Sequence, residues 1–281
     1  MSKGPAQNSH LKESYLTMAI SPIRAVVFDM GGTLEDLYYD DSIRQEATRG
    51  LQELLHGREL DPGLSPPDLQ ATVLAGIGAY QAWREKSEME LAPERVWTEY
   101  VFPDHGLPHE RLLAAAEELA FYYETHYQVR SLRPEAPAVV EALHRKGFRL
   151  AIISNIISRR LVSRKLAEYG LAGYFDPVVT SSGFGWRKPN ARIFEEAARL
   201  MQLPPAACAY VGDTVSRDVI GARRAGYGLV IQIRSFLTDK VDHETGGAPA
   251  GDRDLVPDAV IHDLMQVIPV VSVDGEGAGG D

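Results

Sequence analysis

A chain of 281 residues with 44% hydrophobic content is long enough for one large domain or two modest ones, and it carries material for a real core. Its formal charge of −10, with Lys and Arg dispersed among acidic residues, repels polyanions and argues against a nucleic-acid partner. Cys208 is the only cysteine, which rules out an intrachain disulfide and a cysteine-based metal site and fits a reducing cytoplasm; no stretch reaches the about 18 apolar residues that read as a membrane span.

Met1 to Ser21 has no apolar segment of signal-peptide length and reads as a loose tail, with Met18 an alternative start. Ile23 to Asp29, "IRAVVFD", is a nearly continuous β-rich run suited to a strand buried on both faces. From Leu37 to Gln128 the pattern turns helical. Ser42 followed by Gln45 suggests a capping box for a helix that ends at Gly57, and further helices are expected over Pro67–Lys86, Pro93–Phe102 and Pro108–His126. This block shows no strand pattern, and "LYYDD" (Leu37 to Asp41) reads as a hinge. Beyond Arg130, helices over Ala136–Lys146, Arg159–Tyr169, Ala191–Met201 and Ser216–Ala225 alternate with the strands "FRLAIIS", "PVVTSS", "ACAYVGD", "GLVIQI" and a late "DAVIH". That alternation predicts a Rossmann-like parallel sheet with helices on both faces. Ser235 to Pro257 reads as a long surface loop and 271–281 as a disordered tail.

One strand precedes the helical block and the others follow it. An isolated strand is unstable, so the first must join the later sheet and the helical block must be an insertion. The expected organisation is a core of residues 22–36 and 129–270 with a helical cap of residues 37–128.

In open α/β sheets the ligand crevice lies beyond the carboxyl ends of the strands. Applied here, that rule selects Asp29, Ser154 with Asn155, Lys188 in "GFGWRKPN", and Asp213. Two carboxylates, a hydroxyl and an ammonium suit a phosphoryl group with a divalent cation, although each residue also suits a plainer role as turn former, helix cap or solvated cation. Asp218 lies five residues beyond Asp213, an interval of about 140° on a helix, so the two face one site only if Asp213 ends the strand and Asp218 sits on the first helical turn.

In this order, "FDMGGTL", "IISN", "RKP" and "GDTVSRD" resemble the four motifs of the haloacid dehalogenase superfamily, and the insertion resembles its C1-type helical cap. The resemblance runs from Ile23 to about Ile261. It implies that Asp29 attacks phosphorus to form an aspartyl-phosphate, which water then hydrolyses, so that one hard step becomes two easier ones. Gly31 and Gly32 bring backbone N–H groups to the phosphate, Ser154 donates to a phosphoryl oxygen, and a backbone N–H near Asn155 helps. Lys188 neutralises the anions, while Mg²⁺ is held by Asp29, the Gly31 carbonyl and Asp213, with Asp218 either behind those ligands or a weaker ligand itself. The implied substrate is a small phosphorylated metabolite; oligomeric state is left open.

One departure matters. Most phosphatases of the superfamily place an acid–base Asp two residues after the nucleophile, and here that position is Gly31. Such help is typically worth ~10²–10⁴-fold, so the enzyme is expected to favour good leaving groups, to recruit another acid such as Glu35 or a cap residue, or to have lost turnover and only bind phosphate. A metal-free carbon–halogen hydrolase is the other alternative within the superfamily. A receiver-type signalling module shares the residue types but not their order or the insertion. Trp83, Trp97, Tyr122 and Tyr123 in the insertion are read as bundle core.

Overall fold

The computed structural model describes residues 22–235 and 256–272; the expected N-terminal tail, most of the 235–257 loop and residues 273–281 lie outside them. At the centre is β1 (Ala25–Phe28), every residue of which is buried. It pairs in parallel with β4 (Arg149–Ser154) on one side and β6 (Cys208–Gly212) on the other. β5 (Phe175–Thr180), β7 (Leu229–Ile233) and β8 (Ala259–Ile261) complete a six-stranded parallel sheet in the order β5-β4-β1-β6-β7-β8. This is the Rossmann-like α/β architecture that the alternating pattern predicts.

The two-residue period of a strand sends successive side chains to opposite faces. Val26 and Phe28 therefore pack with α5 (Ala136–Arg145), α6 (Leu161–Glu168) and the terminal α10 (Val267–Ser272). Ala25 and Val27 pack on the other face with α8 (Ala191–Leu200), Tyr210 and Tyr227. Because the strands after β1 are added first on one side of it (β4, β5) and then on the other (β6, β7, β8), the order reverses at β1 and the crevice opens above the end of this strand.

The insertion forms a separate hydrophobic cluster built from α1 (Asp41–Gly57), α2 (Pro66–Ser87), a short α3 (Pro93–Arg95) that widens into a π-helical segment (Val96–Val101), and α4 (His109–His126). Trp97 and Tyr80 are fully buried there, with Trp83, Tyr122 and Tyr123 packed against the cluster.

Four local expectations are corrected. Asp40, not Ser42, caps α1, its Oδ1 accepting the Ile43 N–H at 2.8 Å from an extended backbone. The stems of the insertion are not strand-free: β2 (Glu35–Tyr38) pairs antiparallel with β3 (Val129–Leu132). β2 alternates inward and outward, but one of its two inward residues is the charged Glu35, which masks the apolar alternation that marks a strand. α10 runs through Ser272, past the start of the expected tail, and Ser181–Phe184 is a short helix, α7, rather than the end of a strand.

Candidate active site

The carboxyl ends of the central strands deliver the site. Asp29 follows β1 directly, its N–H bonded to the Val211 carbonyl of β6 at 2.9 Å. Lys188 arrives from the loop after α7, and its ammonium lies 2.7 Å from Asp29 Oδ1, 2.7 Å from Asp218 Oδ1 and 3.1 Å from the Tyr210 hydroxyl. Asn155 fixes that loop: its Nδ2 donates to the Lys188 carbonyl at 2.9 Å and its Oδ1 accepts the Lys188 N–H at 2.8 Å. The Asn155 side chain is thus committed to the lysine backbone.

Asp218 is fully engaged. Its Oδ1 accepts from Lys188 and from Tyr210 at 2.8 Å, and its Oδ2 from the Thr214 N–H at 3.0 Å and hydroxyl at 2.7 Å. Burial alone would raise its pKa, but the Lys188 charge and these hydrogen bonds hold it below the usual carboxylate value. Lys188, in turn, resists the lowering effect of burial and is raised because Asp218 and Asp29 face it. Asp213 begins the turn after β6; its Oδ2 accepts the Ser235 hydroxyl at 2.7 Å, and its carbonyl accepts Gln232 Nε2 at 3.1 Å.

Oxygens of Asp29, Asp213 and Asp218 lie within 4.8 Å of one another, all three residues buried. Burial, only partly offset by Lys188, pushes Asp29 up to about 6. Asp213 is raised further by burial and by the charges of Asp218 and Asp29. Three clustered carboxylates offer the oxygen donors that a hard divalent cation takes.

The glycines fit this crowding. Gly32 adopts φ +90°, and a Cβ there would lie 2.2 Å from Asp213 Oδ2. At Gly31 a Cβ would meet Leu37 Cδ1 at 2.9 Å and Arg130 Nη1 at 3.3 Å, so the ribbon and its arginine fill the space beside this position. Glu35 has both carboxylate oxygens occupied, by Arg130 at 2.7 Å and by the Tyr169 hydroxyl at 2.8 Å. Asp29, Gly31, Lys188, Asp213, Asp218 and the half-buried Arg217 are among the residues that line a small cavity of about 40 Å³. Ser154 ends β4, buried beside Thr180 and outside that lining. Tyr210, Thr214, Gln232, Ser235 and Arg217 were not singled out by the sequence; "GDTVSRD" contains two of them, and only their polarity next to Asp213 could have drawn attention.

A parallel sheet with this strand order, an insertion after β1, and a buried Asp–Lys–Asp cluster at the strand ends define a hydrolase of the haloacid dehalogenase type. A family model described as haloacid dehalogenase-like hydrolase matches residues 23–226, and the chain belongs to that family. It is 28% identical to a glyceraldehyde 3-phosphate phosphatase of Methanopyrus kandleri, covering 89% of this chain and 97% of the relative. It is 29% identical to a phosphoglycolate phosphatase of Vibrio vulnificus, covering 91% and 99%. Among solved structures, a 2-haloacid dehalogenase from Pseudomonas syringae superposes with a TM-score of 0.61 at 24% identity, over 89% of this chain and 98% of the other, a likeness of fold. No helix among the described residues is long and apolar enough to cross a membrane.

Proposed function

We propose that this protein is a Mg²⁺-dependent phosphatase of small phosphorylated metabolites, working in the cytoplasm through an aspartyl-phosphate on Asp29. The observation that carries the reading is the Lys188 ammonium set 2.7 Å from both Asp29 and Asp218, with Asp213 in the same buried cluster. Relatives named as phosphatases over almost their whole length support the choice of phosphorus over carbon–halogen chemistry.

The donor set fits a hard divalent cation, because oxygen atoms of clustered carboxylates are what Mg²⁺ takes, and Asp29, Asp213 and Asp218 bring one each to within 4.8 Å of the others. Asp29, Asp213 and the Gly31 carbonyl would hold it; the four hydrogen bonds on Asp218 suit that residue to holding Lys188 instead. When bound, the cation supplies charge neutralisation for the phosphoryl oxygens. Lys188 keeps Asp29 oriented and offsets the repulsion as an anionic ester approaches. Asp29 attacks phosphorus in line, the P–O bond to the leaving group breaks, and water then attacks the acyl phosphate to release inorganic phosphate and regenerate the carboxylate. Ser154 and the backbone N–H groups of Gly31 and Asn155 are assigned to the phosphoryl oxygens; the Gly32 N–H, expected from the sequence to join them, is instead donated to the Glu35 carbonyl at 2.7 Å.

With Gly31 in the acid–base position and Glu35 tied to Arg130 and Tyr169, the leaving oxygen departs with little protonation. Esters of acidic leaving groups, such as aryl phosphates, acyl phosphates and sugar-1-phosphates, are therefore the preferred class. Residues 37–128 act as a cap that selects substrate and excludes water over a core of 22–36 and 129–270, the boundaries falling at the β2–β3 ribbon.

The test is phosphate release from a panel of metabolites with and without Mg²⁺, comparing the native protein with Asp29→Asn. Release should need Mg²⁺, fall steeply as leaving-group pKa rises, and drop by roughly 10³-fold or more in the variant. Turnover that survives a chelator would point to the metal-free halide route, and a panel silent for both proteins to a phosphate-binding relative without turnover.

A further inference from the structure

The cavity at the strand ends is small. At about 40 Å³ it takes on the order of three or four oxygen-sized atoms, the scale of one phosphoryl group, so a group seated there touches every wall. Which side chains can donate hydrogen bonds to it is set by the donors that the surrounding network has already used.

Lys188 has none left. An ammonium carries three donors, and these meet Asp29 Oδ1 and Asp218 Oδ1, each at 2.7 Å, and the Tyr210 hydroxyl at 3.1 Å. The lysine therefore offers the phosphoryl group its charge, but a hydrogen bond only if it releases a partner. Thr214 spends its hydroxyl and its backbone N–H on Asp218 Oδ2. Asn155 spends one amide N–H on the Lys188 carbonyl, and its second is neutral. The ionised carboxylates of Asp29, Asp213 and Asp218 bring only acceptors. Arg217 is different. It sits one residue before Asp218 in the turn after β6, half-buried where Asp218 is fully buried, and lines the same cavity. Its guanidinium forms no hydrogen bond and no ion pair among the described residues. Of the side chains in this lining it alone combines positive charge with uncommitted donors.

We infer that Arg217 is a further catalytic residue, whose guanidinium binds two non-bridging oxygens of the phosphoryl group and holds them while that group passes from the ester to Asp29. This rests on the phosphoryl-transfer reading of the site and deepens it: Lys188 holds the nucleophile, and Arg217 holds the group that is attacked. A planar guanidinium meets two phosphoryl oxygens with parallel hydrogen bonds, which an ammonium cannot do. During transfer, charge spreads over the equatorial oxygens, so donors fixed beside them lower the barrier. Arg217 keeps its protons throughout; the bond from Asp29 to phosphorus forms as the bond to the leaving oxygen breaks, and that oxygen departs with the electron pair. The arginine thus assists the phosphoryl group and not the leaving group, which leaves the preference for acidic leaving groups in place.

The test titrates orthovanadate, an oxyanion of phosphate's shape that accepts a further oxygen as the transferring phosphorus does, calorimetrically into the full chain with Mg²⁺. The thermal unfolding midpoint is measured with and without it. Arg217→Gln should weaken vanadate binding by roughly 10- to 100-fold, the span of charge-assisted hydrogen bonds, and Arg217→Lys, which keeps the charge but loses the fork, should fall in between. Because Arg217 has no partner among the described residues, the midpoint without vanadate should be the same in all three proteins, and only the rise that vanadate brings should shrink. A merely structural role would lower the vanadate-free midpoint instead. Equal vanadate affinity in the native protein and Arg217→Gln, or a loss that comes with a lower vanadate-free midpoint, overturns the inference and leaves the phosphatase reading standing. Weakened binding in the variant while the native protein hydrolyses no aryl phosphate keeps the inference as oxyanion binding and sinks the phosphatase reading; a native protein that binds no vanadate sinks both.

Discussion

Buried carboxylates do different work at the strand ends and along the seam where the insertion meets the core. At the strand ends, Asp29 and Asp218 face a single ammonium, and charge is held against charge in readiness for another charged group. Along the seam, carboxylates from the insertion hold the core's loops. Glu124 of α4 accepts the N–H groups of Ile157 at 2.8 Å and Ser158 at 2.9 Å, and Glu117 takes the Ser158 hydroxyl at 2.7 Å and the Arg159 N–H at 3.1 Å. Glu90 accepts the Ser181 hydroxyl at 2.7 Å, and its own N–H reaches the Gly185 carbonyl at 3.0 Å. The loops so gripped are the ones that follow Ser154–Asn155 and precede Lys188. The insertion therefore fixes the loops that carry Asn155 and Lys188.

If that contrast is right, breaking the central charge pairing should cost more than breaking any grip at the seam. Lys188→Met leaves two buried carboxylates without their counter-charge, and at pH 8 it should lower unfolding free energy by about 3–5 kcal/mol in urea titrations without metal. Glu90→Gln keeps shape and hydrogen-bonding capacity but removes the negative charge facing Arg84 at 3.6 Å and Arg187 at 3.9 Å. Its expected cost is about 2–3 kcal/mol in the same titration. Equal costs for the two would erase the distinction.

The two regions also differ in how far they could be read beforehand. Asp29, Lys188, Asp213 and Asp218 were legible because a parallel sheet collects whatever follows its strands, so order along the chain is enough. Tyr210 was hidden by its place in an apolar run, where an aromatic ring reads as core; it is core, packed on Phe194 and Tyr227, and it also bonds Asp218. Asn155 was found as a site residue, yet its amide is spent on the Lys188 backbone, a pairing across distant loops that no local pattern encodes. Glu90 and Glu124 were out of reach altogether. Their meaning depends on which face of the insertion meets the core, and helical periodicity marks which face is apolar but not what lies opposite.

Glu124 sharpens the comparison through pH. Burial, against the pull of two N–H donors and Arg130, pushes it up to about 7 from 4.5. The folded state then holds its proton more tightly than the unfolded chain, so stability falls as pH rises between those values and stays at the lower level above them. Unfolding free energy measured between pH 5 and pH 8 should decline by on the order of 2 kcal/mol from this group. Asp29, raised to about 6, adds a slope of the same sign in metal-free protein. Glu124→Gln should remove the seam's share and leave that of Asp29; a slope unchanged by the substitution would place its whole origin in the centre.

The smallest effect belongs to the rim of the seam, at Glu88. Its carboxylate takes Asn190 Nδ2 at 2.9 Å and lies 3.3 Å from Arg224, with about a third of its side chain open to water, so the ion pair is screened. Surface pairs of this kind are worth about 0–1 kcal/mol, and Glu88→Ala should cost no more than that. The same residue ends α2 in the left-handed conformation, φ 54°, which strains any side chain by about 1–2 kcal/mol and suits glycine. Glu88→Gly loses the same contacts yet relieves the strain, so it should unfold at a denaturant concentration equal to or above that of Glu88→Ala. If the glycine variant is instead the weaker of the two, the contacts made from this turn are not what holds it, and the seam's rim depends on the stiffness of the helix end.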